Sequence, residues 1–111
     1  MSVNTRPIFT SAYAPATETT MYQSAAGTHT IIDKLTGYNS DASTVLLTIK
    51  LVQSGGTAGA SHVIVSKSLA AGETYTFPEV VGHTLEPGGF VSMLAATANK
   101  VVVRGSGRQI T

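Results

Sequence analysis

Residues 44–53 alternate in character: Val45, Leu47, Ile49 and Leu51 fall on one side of an extended chain, and Thr44, Thr48 and Lys50 on the other. A strand imposes this period of two, because successive side chains point to opposite faces of a sheet. One face of this strand is therefore predicted to pack a core. Leu46 and Val52 interrupt the polar side, which predicts partial cover there by another part of the chain or by another subunit. The run 73–77 repeats the pattern, with Tyr75 and Phe77 predicted inward and Thr74 and Thr76 outward.

Further runs rich in β-branched and aromatic residues occupy 19–23, 28–38, 61–69, 90–96 and 100–110, with a shorter one near 80–85. Turn formers separate them. Asn39, Ser40 and Asp41 offer side chains that bond local backbone, and Ala70, Ala71, Gly72 and Glu73 make a tight corner. Glu86, Pro87, Gly88 and Gly89 form another turn, and the Gly-rich stretch 54–60 reads as a mobile loop. No helical period is long enough to bridge parallel strands. The pattern predicts an all-β fold, an antiparallel β-sandwich of jelly-roll or immunoglobulin-like type with seven to eight strands.

At 111 residues the chain is sized for one such domain. Residues 1–18 differ from the rest: Pro7 and Pro15 punctuate them and neither period is sustained. Proline fixes φ and biases the residue before it toward extended conformations. The division predicted is an extended N-terminal arm over 1–18 and a sandwich over 19–111, the arm lying on its own domain or on a neighbour and dispensable for folding.

Composition narrows the function. Only 12% of residues are charged, about half of the roughly 25% common in soluble domains. Short neutral side chains must cover the surface instead, and these cost little desolvation or rotamer entropy when pressed against another protein. A net charge of +1 gives no global field that would argue for nucleic acid or an anionic membrane, and neither is expected as partner. Cysteine is absent, which removes disulfides, thiolate nucleophiles and Cys-ligated zinc. No apolar run suggests a signal peptide or a spanning helix, so synthesis as a soluble cytosolic product is expected.

Candidate chemistry is sparse. His29, His62 and His83 stand apart from one another and from acidic residues at ligand spacing, so no metal is expected. None of the serines lies in G-x-S-x-G, and Gly105-Ser106-Gly107 reads as a strand ending rather than a nucleophile elbow. The carboxylates Glu18, Asp33, Asp41, Glu73, Glu79 and Glu86 are scattered, and the Gly-rich stretch lacks the lysine of a phosphate-binding loop. Neither catalytic residues nor a cofactor is expected. One charge pattern remains: Lys100, Arg104 and Arg108 are spaced by four, which on a strand places them on one face. They read either as protection of an exposed edge strand or as a docking stripe for an acidic protein surface. The residues expected to make protein contacts are therefore Arg6, Pro7, Ile8, Phe9 and Tyr13 in the arm, with Lys100, Arg104 and Arg108 in the stripe.

Several segments carry a resemblance: Thr19-Thr20-Met21-Tyr22, the strand closing in Tyr38 and Asn39, the run 45–52, the Gly/Ala-rich loop, the Leu69-Ala70-Ala71-Gly72-Glu73 corner and the final run 103–107. In this layout the chain resembles small virion proteins of tailed bacteriophages, of the capsid decoration or cement type. The resemblance implies a β-sandwich on the outside of the virion, self-associating, often as a trimer, with the major capsid protein or another virion protein as partner. It brings no catalytic residues. A tail, collar or baseplate component is the alternative, a host-surface or glycan-binding module a further one, and an enzyme the last.

Overall fold

The computed structural model describes residues 1–111. Nine strands follow one another: β1 (Val3–Tyr13), β2 (Thr19–Gln23), β3 (His29–Asn39), β4 (Val45–Val52), β5 (Val63–Leu69), β6 (Thr74–Thr76), β7 (Thr84–Leu85), β8 (Phe90–Ala95) and β9 (Val101–Ile110). They form two antiparallel sheets. The first has the order β1-β9-β3-β6, with β7 also on β3, and the second the order β2-β8-β4-β5.

The antiparallel sandwich expected from the alternation forms, and its connectivity selects the jelly roll. The strands behave as one long antiparallel ribbon bent at the β4–β5 connection, in which β1 pairs β9, β2 pairs β8, and β3 pairs β6 and β7. Rolling that ribbon brings β9 beside β3 and β8 beside β4, which closes both sheets. The inner faces then meet. Ile32, Leu35, Val101, Val103 and Phe77 from the first layer pack on Val45, Leu47, Ile49, Leu69, Val91 and Met93 from the second, all at most 1% exposed. Each such side chain contributes about 1.5–3 kcal/mol by leaving water.

The N-terminal segment is extended, as its prolines suggest, but it is strand β1 of the first sheet rather than a separate arm. It pairs with β9 from Val3 opposite Ile110 to Tyr13 opposite Val102, and Ala14 N–H continues the bonding to the Val101 carbonyl at 2.8 Å. Irregular register between Pro7 and Phe9 and again before Ala12 breaks the period of two. Pro7 costs little here, because β1 is an edge strand and one side of it has no ladder to feed.

Glycines explain why the sandwich needs β1. Gly105 and Gly107 occupy inward positions of β9, and a Cβ on Gly105 would stand 3.0 Å from both Ile8 Cγ1 and Phe9 Cε1. Ile8 and Phe9 therefore fill the space that β9 leaves open. Gly107 is tighter still, since a Cβ there would overlap the Ile31 carbonyl oxygen. These glycines lie within β9, not at its end as the sequence suggested.

Buried polar groups fasten the two ends of the roll. Asn39 is fully buried; its Nδ2 donates to the carbonyls of Ser43 and Leu69 at 2.9 Å and of Ala70 at 3.2 Å, and its Oδ1 accepts from Asp41 N–H at 2.9 Å. One side chain thus holds the β3–β4 and β5–β6 turns together. At the other end, Ser24 Oγ lies 2.9 Å from Thr30 Oγ1, which lies 2.8 Å from the Tyr22 hydroxyl, and Gln109 Nε2 donates to that hydroxyl at 2.6 Å. The loop after β4, expected to be mobile, is tied to its surroundings. Glu86 accepts from Ser54 N–H at 3.0 Å, and His62 Nε2 lies 3.0 Å from Gln53 Oε1.

Two outcomes follow for stability, both measurable by urea unfolding. Gly107→Ala is expected to cost about 1–3 kcal/mol through overpacking, and Asn39→Ala about 1–3 kcal/mol by leaving buried carbonyls without their donor. Removal of residues 1–13, in contrast to the dispensable arm expected from sequence, should abolish the cooperative transition, because it exposes the glycine side of β9.

Candidate docking surface

The outer face of the first sheet is set by the strands that alternate through it. On β9 the outward positions are Val102, Arg104, Ser106 and Arg108, and on β3 they include Lys34, Thr36 and Tyr38. Register places Tyr13, Val102 and Tyr38 in one row across β1, β9 and β3, Arg104 opposite Thr36, and Lys34 opposite Ser106. A shallow depression of about 380 Å³ lies over this region, lined by Ser11, Lys34, Thr36, Tyr38, Arg104 and Ser106 among others. Tyr13 is 50% and Tyr38 42% exposed, the two large aromatics most open to solvent.

Charge is distributed unevenly over the molecule. Lys50 pairs with Glu18, Lys67 with Glu73 at 3.8 Å, Lys100 with Asp41 at 4.0 Å and Arg108 with Asp33 at 3.0 Å. Arg6 donates to Gln109 Oε1 at 3.2 Å. Of the seven lysines and arginines, Lys34 and Arg104 are left without a side-chain partner, and both line the depression. No carboxylate lines it. Glu79 and Glu86, which have no cation, accept instead from the Tyr75 hydroxyl at 2.9 Å and from Ser54 N–H.

The structure rearranges the contact residues expected from sequence. Ile8 is core, 5% exposed, and Phe9 is half-buried against it, so neither side chain is presented outward as an arm residue would be. Arg6, Pro7 and Tyr13 are exposed along β1. Lys100 precedes β9 rather than sitting on it, and both it and Arg108 carry ion pairs, so Arg104 is the member of the stripe without a side-chain partner. Edge protection is ruled out by topology, because β9 is bonded on both sides. Lys34, Thr36 and Tyr38, spaced by two along β3 beyond its register irregularity, share this face with Arg104 and were not among the residues expected from sequence.

The outer face of the second sheet differs. Leu46, 41% exposed, stands among Thr48, Ser66 and Ser68, while Val52 on the same side is buried. The connection from β1 to β2 crosses this face at Glu18, which bonds Lys50 and accepts from Ser92 Oγ at 2.5 Å. Burial alone would raise the Glu18 pKa, but the hydrogen bonds from Lys50 and Ser92, with the Lys50 charge, outweigh it and hold the carboxyl below its ordinary range. Elsewhere, the hydrogen bond to Glu79 raises the Tyr75 pKa, and the Lys67 ammonium lies 4.7 Å from the Tyr75 ring centre. No group of three His, Asp or Glu side chains converges as a metal site would require.

These two sheets define a jelly roll with one neutral outer face and one that carries two tyrosines and two unpaired cations. The chain is similar to a protein of Bacillus endospore appendages, described as a novel family of disulfide-linked pili: identity is 18% and the TM-score 0.55, over 99% of this chain and 88% of that one. It is also similar to a chain of the T13 particle of infectious bursal disease virus, at 12% identity and a TM-score of 0.53, over 97% of this chain but 30% of the viral one. At these identities the likeness is one of fold. No protein-family model matches the sequence, and no curated protein matches it.

A pH series checks the Glu18 anchor. A carboxylate with a depressed folded-state pKa contributes stability above the unfolded-state value and loses it as the pH falls through the folded one. The urea midpoint should therefore drop as the pH falls below the ordinary carboxylate range, and Glu18→Gln should flatten that drop while lowering stability near neutrality.

Proposed function

We propose that this chain is a structural protein of a tailed-phage particle, a decoration protein that binds the outside of the assembled head and stabilises it. The observation that carries the reading is the pair of broad outer sheet faces on a rigid roll. One is nearly uncharged and rich in Ser and Thr around Leu46, and the other presents Tyr13 and Tyr38. The uncharged face loses little on dehydration, and both faces, repeated around a symmetry axis, add by avidity. The partner in this reading is the major capsid protein, and the chain associates with itself, as a trimer.

The fold neighbours support assembly as the theme, since one forms pili and the other belongs to a viral particle. Disulfide linkage does not transfer, because this chain has no cysteine. Cohesion must then come from area and geometry alone. The pilus likeness favours a second reading, in which the same roll is a tail, collar or baseplate component.

Sedimentation separates the two. Purified protein mixed with expanded heads that lack it should co-sediment in a saturable ratio and raise the temperature at which the heads rupture. Coating of tails in place of heads would support the second reading, and binding to neither would contradict both. Light scattering should give three times the 11.4 kDa chain mass; a persistent monomer at the concentration that saturates heads would contradict the trimer.

A further inference from the structure

We propose that the outer face of the first sheet is the docking site for an acidic segment of the partner protein, with Lys34 and Arg104 as charge contacts and Tyr13 and Tyr38 as flanking anchors. The proposal rests on the assembly reading and adds to it the partner's chemistry and the residues that meet it.

Charge compensation is the argument. Everywhere else on the surface a lysine or arginine has found a carboxylate or amide of its own chain, over sequence separations as long as that between Arg6 and Gln109. Lys34 and Arg104 have none, and they are diagonal neighbours across β3 and β9, since Arg104 faces Thr36 and Lys34 faces Ser106. Backbones at diagonal positions are about 7–8 Å apart, close enough for two cations to act on one ligand and to repel each other without it. The excess of cations over carboxylates, +1 for the whole chain, is therefore exceeded locally by the two charges in this depression.

The surroundings suit a peptide. Thr36, Ser106 and Ser11 line the depression and offer hydroxyls, and tyrosine and arginine are the residue types that dominate binding energy at protein interfaces. A nucleic acid fits less well, because two cations neutralise too few phosphates for a useful counterion-release footprint.

The test uses the full chain, two probes and two double variants. The first probe is expanded heads lacking the protein, and the second is poly-L-glutamate. Lys34→Gln with Arg104→Gln is expected to weaken binding to both probes on the order of tenfold at low salt and to flatten the salt dependence. Lys100→Gln with Arg108→Gln, which removes cations already paired, should change binding several-fold less. Amide NMR shifts on adding poly-L-glutamate should cluster at Lys34, Thr36, Tyr38 and Arg104. Head binding that the first variant leaves unchanged would overturn the docking site and spare the assembly reading. Poly-L-glutamate binding through these residues without any head binding would do the reverse. Equal losses in the two double variants, or tighter binding of a single-stranded oligonucleotide through the same residues, would overturn the acidic-protein assignment.

Discussion

The pairing of β9 with β1 on one side and β3 on the other holds this molecule together. β9 is flanked by a ladder on each side, from Val3 and His29 opposite Ile110 to Tyr13 and Tyr38 opposite Val102. The inward glycines make that arrangement possible and also make it necessary. They let Ile8 and Phe9 reach over β9 toward the core, and without those side chains the first sheet would have a gap where a sandwich must be close-packed. A centrally placed β9 then has an outward face supported from both sides, which makes Val102, Arg104 and Ser106 part of a stiff, broad surface.

Electrostatics divides that surface from the rest. The chain has few charges, and four of its seven cations pair with carboxylates of their own chain, three of them distant in sequence. The Lys50, Glu18 and Ser92 cluster fixes the β1–β2 connection to the second sheet. The Arg108–Asp33 pair sits at the irregularity in β3. What remains is one neutral face and one face with two bare cations beside two exposed tyrosines. In the proposed assembly the two sides meet different neighbours, one a copy of the chain and the other a partner of opposite charge.

Much of the fold could be read from local patterning, and the limits of that reading have physical causes. The strict alternation of Val45, Leu47, Ile49 and Leu51 defined β4 and the buried side of the second sheet, and the turn residues at Asn39 and Gly72 marked the ends of their strands correctly. β1 escaped recognition as part of the roll because its register irregularities and Pro7 erase the period of two. The irregularity between Ile32 and Lys34 likewise shifts the phase of β3, which hid Lys34 as an outward residue. The ion pairs of Lys100 and Arg108 were illegible for another reason: their carboxylates lie far away in sequence, and only the fold brings them near. Topology, too, is non-local, so period alone left jelly-roll and immunoglobulin-like sandwiches open.

In the proposed assembly the outer face of the first sheet is the side that meets the particle. A cryo-electron reconstruction of heads saturated with this protein measures that directly. The expected result is Tyr13, Lys34, Tyr38 and Arg104 in density shared with the capsid shell, against acidic side chains. A roll bound with that face turned to solvent, and held to the shell by the Leu46 side or by the loops, would contradict it.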